Sequence, residues 1–270
     1  FYDGGSGFDR IEYHRGDWTD TGLTIDMTKG QVTGKRDGSV DTFVNVEAVT
    51  GSNLADTYDA TGFEGINRFV GGGGNDEITG NGETVVRYHT ARGAVSVNLE
   101  TGKALSLLGD DVAGVGVDTF TGVNAAIGSA YGDRLVGSDA AFEYYRPERG
   151  DDTIEGGDGW DLLRLDAPGS FTIYDGKLLW AVDDNGNRVR EQGVEIDLAN
   201  GTSTSKTQGT DTFTGIEAVR GSRGNDVFDA TGFGSDSINA GSFGTRNEFE
   251  GMAGDDQIIG NGDTVISYRE

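Results

Sequence analysis

The chain has 270 residues, and its 46 acidic side chains against 21 basic ones give a formal charge of −25. This charge argues against a nucleic-acid-binding surface, which needs a stripe of basic residues. The chain has no cysteine, two prolines and 47 glycines that do not recur at every third position, so a disulfide framework, a thiolate zinc site and collagen are excluded.

Both ends of the chain fall inside a repeating pattern. No apolar run approaches the roughly 20 residues that span a bilayer, and no signal peptide is recognisable. The sequence starts at Phe1 without a methionine. We therefore expect a fragment of a longer polypeptide that has no membrane span of its own.

Short segments of alternating apolar and polar residues predict strands. The clearest are 23–27, 95–99 and 194–198, where the alternation places one side of the strand inward and the other outward. No stretch has a convincing helical period, and the frequent glycines oppose long helices. The sequence therefore predicts an all-β fold.

A larger unit occurs three times along the chain. The tripeptide Asp-Thr-Phe marks it at residues 41–43, 118–120 and 211–213, and a Gly-Ser pair follows at 51–52, 128–129 and 221–222. Four residues after each serine comes an aspartate: Asp56, Asp133 and Asp226. We expect three modules, at 1–88, 89–165 and 166–270, which form one continuous solenoid over 1–270.

The third module contains an additional segment. Residues 177–182 and 188–190 read as two strands, and Asn185-Gly186 between them is a two-residue hairpin signal. We therefore predict an antiparallel hairpin near 177–191, appended to the main body in a structural role.

A shorter unit of about nine residues lies inside the modules. Residues 71–79 read G-G-x-G-x-D-x-U-x, where U is a large apolar residue, and 4–12 and 156–163 fit equally well. Weaker copies occupy 150–154 and 251–258. These segments resemble the RTX family of hemolysin-type calcium-binding repeats, and the larger Asp-Thr-Phe unit is similar to that family as well.

The resemblance implies a right-handed parallel β-roll in which calcium lies between the turns of successive coils. Glycines permit a left-handed backbone, so carbonyl groups can point into one cavity, and the aspartate adds a carboxylate oxygen. Calcium takes six to eight such oxygens at about 2.3–2.6 Å. The inward apolar residues are expected to form a thin core: Ile78, Ile154, Leu163, Ile258 and Ile266.

The predicted calcium ligands are aspartates about 18 residues apart, in turns that stack on one edge. The best pairs are Asp56 with Asp76, Asp133 with Asp152, and Asp226 with Asp256 across a bulged half-coil at 230–250. We also expect Asp161 to pair with Asp139, whereas the partner of Asp9 is expected to precede the fragment. The predicted ligand glycines are Gly71, Gly72, Gly74, Gly156, Gly157, Gly159 and Gly254.

Two departures from the repeat pattern weaken it locally. Turns 80–84 and 260–264 carry threonine at the ligand position, so they are weak candidates. Leu54 and Tyr131 stand where the third Gly-Ser turn has Gly224, and a side chain makes a left-handed backbone costly there. The alternative for every aspartate is a turn residue that accepts hydrogen bonds from its own backbone.

The family resemblance implies a calcium-binding structural module of a secreted or cell-surface bacterial protein, exported unfolded through a type I secretion channel and folded by calcium outside. No metalloprotease, serine-hydrolase or phosphate-loop motif occurs, so we do not expect an enzyme. Two alternatives stay open. One is an accessory region of a secreted protease, lipase or polysaccharide-modifying enzyme. The other is an adhesin segment that binds cell-surface glycans through calcium or through its aromatic residues, which are Trp18, Trp160 and Trp180 with Tyr144 and Tyr145. Besides calcium and a glycan, the remaining partner candidates are neighbouring repeats of the same chain.

Overall fold

Strands are the only regular secondary structure in the part of the chain that the computed structural model describes. That part comprises residues 1–14, 19–166, 171–174, 177–180, 193–241 and 243–268, with the backbone alone at 171–174 and 177–180. The predicted all-β class is therefore confirmed. The chain divides into two compact units, 1–127 and 128–270. The division into three modules stays a prediction.

Two parallel ladders run through unit 1. Its strands are β1 (Tyr2–Asp3), β2 (Arg10–Glu12), β3 (Thr24–Asp26), β4 (Gln31–Thr33), β5 (Asp41–Val44), β6 (Ala48–Thr50), β7 (Thr57–Asp59), β8 (Asn67–Val70), β9 (Glu77–Arg87), β10 (Val95–Asn98), β11 (Lys103–Ser106) and β12 (Val117–Ile127). Ladder A joins β3, β7 and the first parts of β9 and β12. Ladder B joins β2, β6, β8 and the second parts of β9 and β12.

Unit 2 repeats the two-ladder plan. Its strands are β13 (Arg134–Val136), β14 (Phe142–Arg146), β15 (Thr153–Glu155), β16 (Trp160–Arg164), β17 (Phe171–Tyr174), β18 (Lys177–Trp180), β19 (Glu195–Asp197), β20 (Thr202–Ser205), β21 (Gly209–Thr214), β22 (Ala218–Arg220), β23 (Val227–Asp229), β24 (Asn247–Glu250), β25 (Gln257–Ile259) and β26 (Thr264–Ser267). Ladder A contains the parallel runs β13–β15–β21 and β19–β23–β25. Ladder B contains β14, β16, β22, β24 and β26. The predicted parallel β-solenoid architecture is thus confirmed within each unit.

Antiparallel meanders interrupt ladder A, which the sequence analysis did not predict. The strands expected at 23–27, 95–99 and 194–198 are present as β3, β10 and β19, but each pairs antiparallel with the strand that follows it. That following strand in turn pairs antiparallel with the strand that contains the Asp-Thr-Phe element. The first turn of each meander contains a left-handed glycine at position 30, 102 or 201, where a side chain would collide with the carbonyl of the Asp-Thr-Phe phenylalanine.

A thin core lies between the two ladders of each unit. Tyr58 of ladder A stacks on Phe69 of ladder B, with ring centroids 4.7 Å apart, and Phe228 and Phe249 are placed likewise at 4.9 Å. The expected core residues Ile78, Ile154 and Leu163 are buried, whereas Ile258 is half-buried and Ile266 is exposed. The core prediction was wrong for the last two because no described strand stacks on the outer side of β25 or β26.

A short hairpin is separate from the ladders. It pairs β17 (Phe171–Tyr174) antiparallel with β18 (Lys177–Trp180), and Phe171 lies opposite Trp180. The strand expected at Lys177 is therefore present, but its partner is the preceding strand. The predicted turn at Asn185-Gly186 and the predicted strand at 188–190 lie outside the described residues.

Candidate calcium sites

The turns of each unit lie on two edges. Edge 1 comprises the turns that enter a strand of ladder A, at 51–56, 71–76, 128–133, 147–152, 221–226 and 251–256. Edge 2 comprises turns that enter a strand of ladder B, among them 4–9, 45–47, 80–83, 137–141, 156–159, 215–217 and 260–263. Every edge 1 turn ends on one of the aspartates that the sequence analysis predicted to bind calcium.

These edge 1 aspartates stack on one another in the predicted pairs. The backbone amide of Asp56 donates to Oδ1 of Asp76 at 2.8 Å. The same bond joins Asp133 to Asp152 at 2.6 Å, and Asp226 to Asp256 at 2.9 Å across the long connection 230–246. Five of the six side chains are buried and Asp256 is half-buried. The structure therefore brings each predicted pair together in adjacent turns.

Two of these stacks of aspartates each contain one further aspartate that the sequence analysis did not predict. The amide of Asp76 donates to Oδ1 of Asp118 at 2.9 Å, and the amide of Asp152 donates to Oδ1 of Asp211 at 3.2 Å. Asp118 and Asp211 begin the repeated Asp-Thr-Phe element, so the sequence contained a signal for them. Their other oxygens accept hydrogen bonds from Tyr88 and Ser203, respectively.

Serine holds the aspartate in each Gly-Ser turn. Ser52 donates its hydroxyl to Oδ1 of Asp56 at 2.8 Å and its backbone amide to Oδ2. Ser129 and Ser222 hold Asp133 and Asp226 with the same two bonds. Local turn bonding, the alternative reading of every aspartate, therefore accounts for both oxygens of these three residues.

The nonapeptide aspartates differ in having an oxygen without a partner. Oδ2 of Asp76 and Oδ2 of Asp152 are buried and accept no hydrogen bond from any described residue. Gly71 leaves room for the carboxylate, because a side chain there would collide with Oδ2 of Asp76. A buried carboxylate oxygen with no partner is costly unless a cation or proton satisfies it.

The predicted glycines line these turns with carbonyl oxygens. Gly72 and Gly74 have left-handed φ values of 92° and 104°, and the carbonyls of Ser52 and Leu54 lie against them. The remaining predicted glycines have the same kind of neighbour: the Gly215 carbonyl at Gly156, the Ser138 carbonyl at Gly157, the Ala140 carbonyl at Gly159 and the Gly224 carbonyl at Gly254. Carboxylate and carbonyl oxygens are the donor set that calcium prefers.

The electrostatics of edge 1 also favour a cation. Burial, followed by the negative charge of Asp118, raises the pKa of Asp76 to about 9. Burial, followed by the charge of Asp211, raises the pKa of Asp152 to about 9. Burial likewise raises the pKa of Asp118 to about 7 and that of Asp211 to about 6. A divalent cation among these groups supplies the positive charge that their ionised forms lack.

The expected distortion at Leu54 and Tyr131 is absent. Neither residue has a left-handed backbone, and neither does Gly224, because the Gly-Ser turn follows a different path from the nonapeptide turn. Left-handed residues with side chains occur instead at Glu148 (φ 79°) and Met252 (φ 68°), where the nonapeptide has its second glycine.

On edge 2 the pairing of Asp161 with Asp139 was wrong. Asp139 is exposed, and the residue in register with Asp161 across β14 and β16 is Glu143. The amide of Asp161 donates to Oε2 of Glu217 in the next coil at 3.0 Å. The register of the stacked strands, which the sequence does not reveal, decides these neighbours.

Asp9 has a neighbour inside the chain, contrary to expectation. Its backbone amide donates to Oε2 of Glu47 at 2.8 Å, and its own Oδ2 is buried without a partner. Glu47 and Glu217 occupy equivalent positions behind the Asp-Thr-Phe element, which is the sequence signal that could have identified them.

Amide side chains close the two turns that carry threonine. Asn81 donates from its side-chain nitrogen to the carbonyls of Phe63 and Gly65 in the neighbouring turn, at 2.9 Å each. Asn261 donates in the same way to Phe233 and Thr245, at 3.2 and 2.8 Å. We call these two turns the amide turns. In each amide turn, two carbonyl oxygens accept hydrogen bonds from the asparagine side chain. These oxygens therefore need no cation between them.

Comparison with known protein families identifies the repeats. The model of the RTX calcium-binding nonapeptide repeat matches four copies, within residues 61–83, 148–167 and 243–264, which together are about a quarter of the chain. The chain therefore contains RTX calcium-binding nonapeptide repeats. The matched segments contain Asp76, Asp152, Asp161 and Asp256, whereas the copy at 4–12 lies outside them. No curated protein matches the chain.

The RTX repeats bind calcium, and the geometry indicates how the ligands are supplied. Among the described residues no group of three or more His, Cys, Asp or Glu side chains could hold a metal ion by itself. The glycine-lined turns offer backbone carbonyls beside the carboxylates. In the same part of the chain, no helix has the length and apolar character to cross a membrane.

Proposed function

We propose that the chain is a calcium-dependent structural module in which ions bound between adjacent edge 1 turns hold successive coils together. The observation that carries the proposal is the buried, unpartnered oxygen of Asp76, repeated at Asp152. Ionised carboxylates in such positions are costly without a cation, and the charge of −25 adds self-repulsion. An ion that binds only the folded chain adds its binding free energy to stability.

The RTX repeats support a cellular setting, because proteins with such repeats are typically secreted by bacteria. We place the chain in a secreted or cell-surface bacterial protein that passes through a type I secretion channel unfolded and folds where calcium is abundant. Folding, spacing and adhesion are its roles in this proposal, and catalysis is not among them.

A calcium titration followed by circular dichroism tests the proposal. We expect a disordered spectrum in chelator and a β spectrum in millimolar calcium, with magnesium at the same concentration as the control. An identical spectrum and melting temperature in chelator and in calcium would refute calcium-dependent folding.

One observation favours glycan binding as a second candidate. A groove of about 230 Å³ on ladder B of unit 2 is lined by Phe142, Trp160, Leu162, Ala218, Val219, Glu248 and Glu250. The Trp160 ring packs edge-on against Phe243 and under Arg246, so an aromatic face is held beside charged groups. A glycan array in calcium, repeated with Trp160→Ala, tests this function, and no hit for the parent chain argues against it.

A further inference from the structure

Two connections of the solenoid, one in each unit, begin alike and differ in length by ten residues. The short connection (60–66) and the long connection (230–246) both start with Ala-Thr-Gly-Phe. The amide turns hold both connections at the carbonyl of this phenylalanine and again at a later carbonyl, which is two residues further on in unit 1 and twelve in unit 2. The additional residues of the long connection therefore lie between two equivalent points, within 234–244.

These additional residues fill a groove of unit 2. Asn239 is fully buried in it, and its side-chain nitrogen donates to the carbonyl of Leu198 at 2.7 Å. Its side-chain oxygen accepts a hydrogen bond from the backbone amide of Ile216 at 3.2 Å. The carbonyl of Ile238 accepts one from the backbone amide of Gly215 at 3.1 Å. An isoleucine–asparagine pair thus satisfies three backbone groups of the groove.

The short connection lacks the residues that supply this pair, and a cavity of about 320 Å³ lies at the equivalent place in unit 1. We call this cavity the carboxamide groove. It is lined by residues 27–30, 43–46 and 62–64. By the register of the meanders, Met27, Asn45 and Val46 stand where unit 2 has the three residues that bond the isoleucine–asparagine pair. Unit 1 therefore retains the residues that bind such a pair but does not supply the pair itself.

The backbone around the carboxamide groove follows the same path as in unit 2. Gly30 and Gly201 are left-handed, with φ values of 61° and 63°, and a side chain at either would collide with the carbonyl of the Asp-Thr-Phe phenylalanine. At Gly201 that side chain would also come within 3.0 Å of the isoleucine–asparagine pair. Asn45 has a φ of 53°, close to the 63° of Gly215, and asparagine is a residue that tolerates this conformation. The two units therefore turn alike at the residues that bond the pair.

We infer that the carboxamide groove binds a loop of a partner polypeptide in which an aliphatic residue is followed by asparagine. The asparagine side chain combines N–H donors with an oxygen acceptor, so it can bond the Met27 carbonyl and the Val46 amide at once, as Asn239 bonds their equivalents. Ligand pockets begin at about 300 Å³, so a cavity of this volume suits a dipeptide. The long connection of this chain is fastened in its own groove, so the occupant comes from another polypeptide. This inference goes beyond calcium-dependent folding and requires only a folded unit 1.

Two-dimensional NMR of the isotope-labelled full chain in saturating calcium tests the inference, with a synthetic peptide of residues 234–245 as the probe. We expect millimolar peptide to shift the backbone amide signals of Asn45 and Val46, which would bond the peptide. The amides of Gly215 and Ile216 are the internal control, because their groove already holds its own segment, and they should not shift.

A matched peptide and two matched grafts test the specificity. A peptide carrying Asn239→Leu has a side chain of similar size without donor or acceptor, and we expect it to bind about tenfold more weakly. In the chain, replacing Glu64 by residues 234–244 gives unit 1 its own occupant and should abolish the shifts that the peptide causes. The same graft with serine at both positions of the isoleucine–asparagine pair leaves the groove accessible and should retain them. Circular dichroism establishes that each graft is folded.

Each outcome supports or overturns the inference. Unchanged Asn45 and Val46 signals in millimolar peptide, or equal binding of the two peptides, would overturn it. Shifts of these signals when the chain is concentrated without peptide would assign the groove to a second copy of the chain and overturn the separate partner. If a graft does not fold, the two peptides still decide. The same samples in chelator test calcium-dependent folding, and failure of that proposal would leave the peptide result standing.

Discussion

Replacing Asp76 by asparagine is expected to have opposite effects with and without calcium. In calcium, Asp76→Asn removes a ligand charge between adjacent turns and destabilises the folded chain. In chelator, the same change removes a buried carboxylate whose Oδ2 has no partner, so it stabilises the folded chain. Asparagine retains an oxygen that can accept the hydrogen bond from the amide of Asp56.

The magnitude follows from the pKa of this carboxyl group. A pKa of about 9 in the folded chain, against the ordinary value of 3.8, means that the folded form retains its proton at pH 7 while the unfolded form has lost it. The free-energy cost of this difference at pH 7 is on the order of 4 kcal/mol. That figure is the largest stabilisation that Asp76→Asn can give in chelator.

The assay compares the variant with the parent chain in urea at saturating calcium, and in chelator with an osmolyte that drives folding. Asp59→Asn is the matched control, because Asp59 is an exposed residue that accepts hydrogen bonds from Thr61 in its own turn. We expect the control to change stability little and equally in both conditions. Equal destabilisation by Asp76→Asn in both would show that Asp76 is only a turn residue and refute the reasoning.

Three further predictions concern the amide turns, the left-handed residues and pH. Asn81→Ala removes two amide–carbonyl bonds and should lower the free energy of unfolding by about 1–3 kcal/mol while the number of bound calcium ions stays the same; loss of an ion would contradict it. Met252→Gly should increase the free energy of unfolding by about 0.5–1 kcal/mol and raise the melting temperature, since the exposed methionine has a left-handed φ of 68°. Leu54→Gly is the control and should not increase stability, because Leu54 has no left-handed backbone. In chelator, burial raises the pKa to about 9 at Asp152 and to about 8 at Asp161, so the stability of the folded form falls as pH rises from about 4 to about 9, and saturating calcium should flatten this dependence. Because the chain is expected to be disordered in chelator, its stability there is measured as the osmolyte concentration that folds half of it. A lower osmolyte midpoint at pH 9 than at pH 5 would contradict this prediction.

The parts of the sites that the sequence predicts are the turns and ligands that a single nonapeptide specifies by itself. A nonapeptide specifies its turn through left-handed glycines such as Gly72 and its ligand through the aspartate four residues later, so Asp56 and Asp76 could be paired from spacing alone. Glu217 could not be paired in this way, because it lies 56 residues from Asp161 and approaches it only through the register of β16 and β22. Glu143 precedes Asp161 by 18 residues, which is the expected spacing, but the pattern called for an aspartate and therefore favoured Asp139.

The meanders escaped prediction for a related reason. Alternation at 95–99 identifies a strand and its inward side, but it does not state the direction of the neighbouring strand. The glycine at 102 carries that information, because its left-handed turn places Lys103–Ser106 antiparallel to Val95–Asn98. Only the structure shows that this glycine faces the carbonyl of Phe120, which lies in the third strand of the meander.

The two edges imply that successive coils differ in their need for calcium. In unit 1, the coil containing β9 has Asp76 at edge 1 and the amide of Asn81 at edge 2, so calcium is required at one edge only. In unit 2, the coil of β15 and β16 has unpartnered acids at both, Asp152 and Asp161. Because coils in a solenoid interact mainly with their nearest neighbours, each coil's requirement acts locally. Ordering of the β9 coil should therefore need less calcium than ordering of the β15–β16 coil, and hydrogen exchange during a calcium titration should protect Ile78 before Ile154.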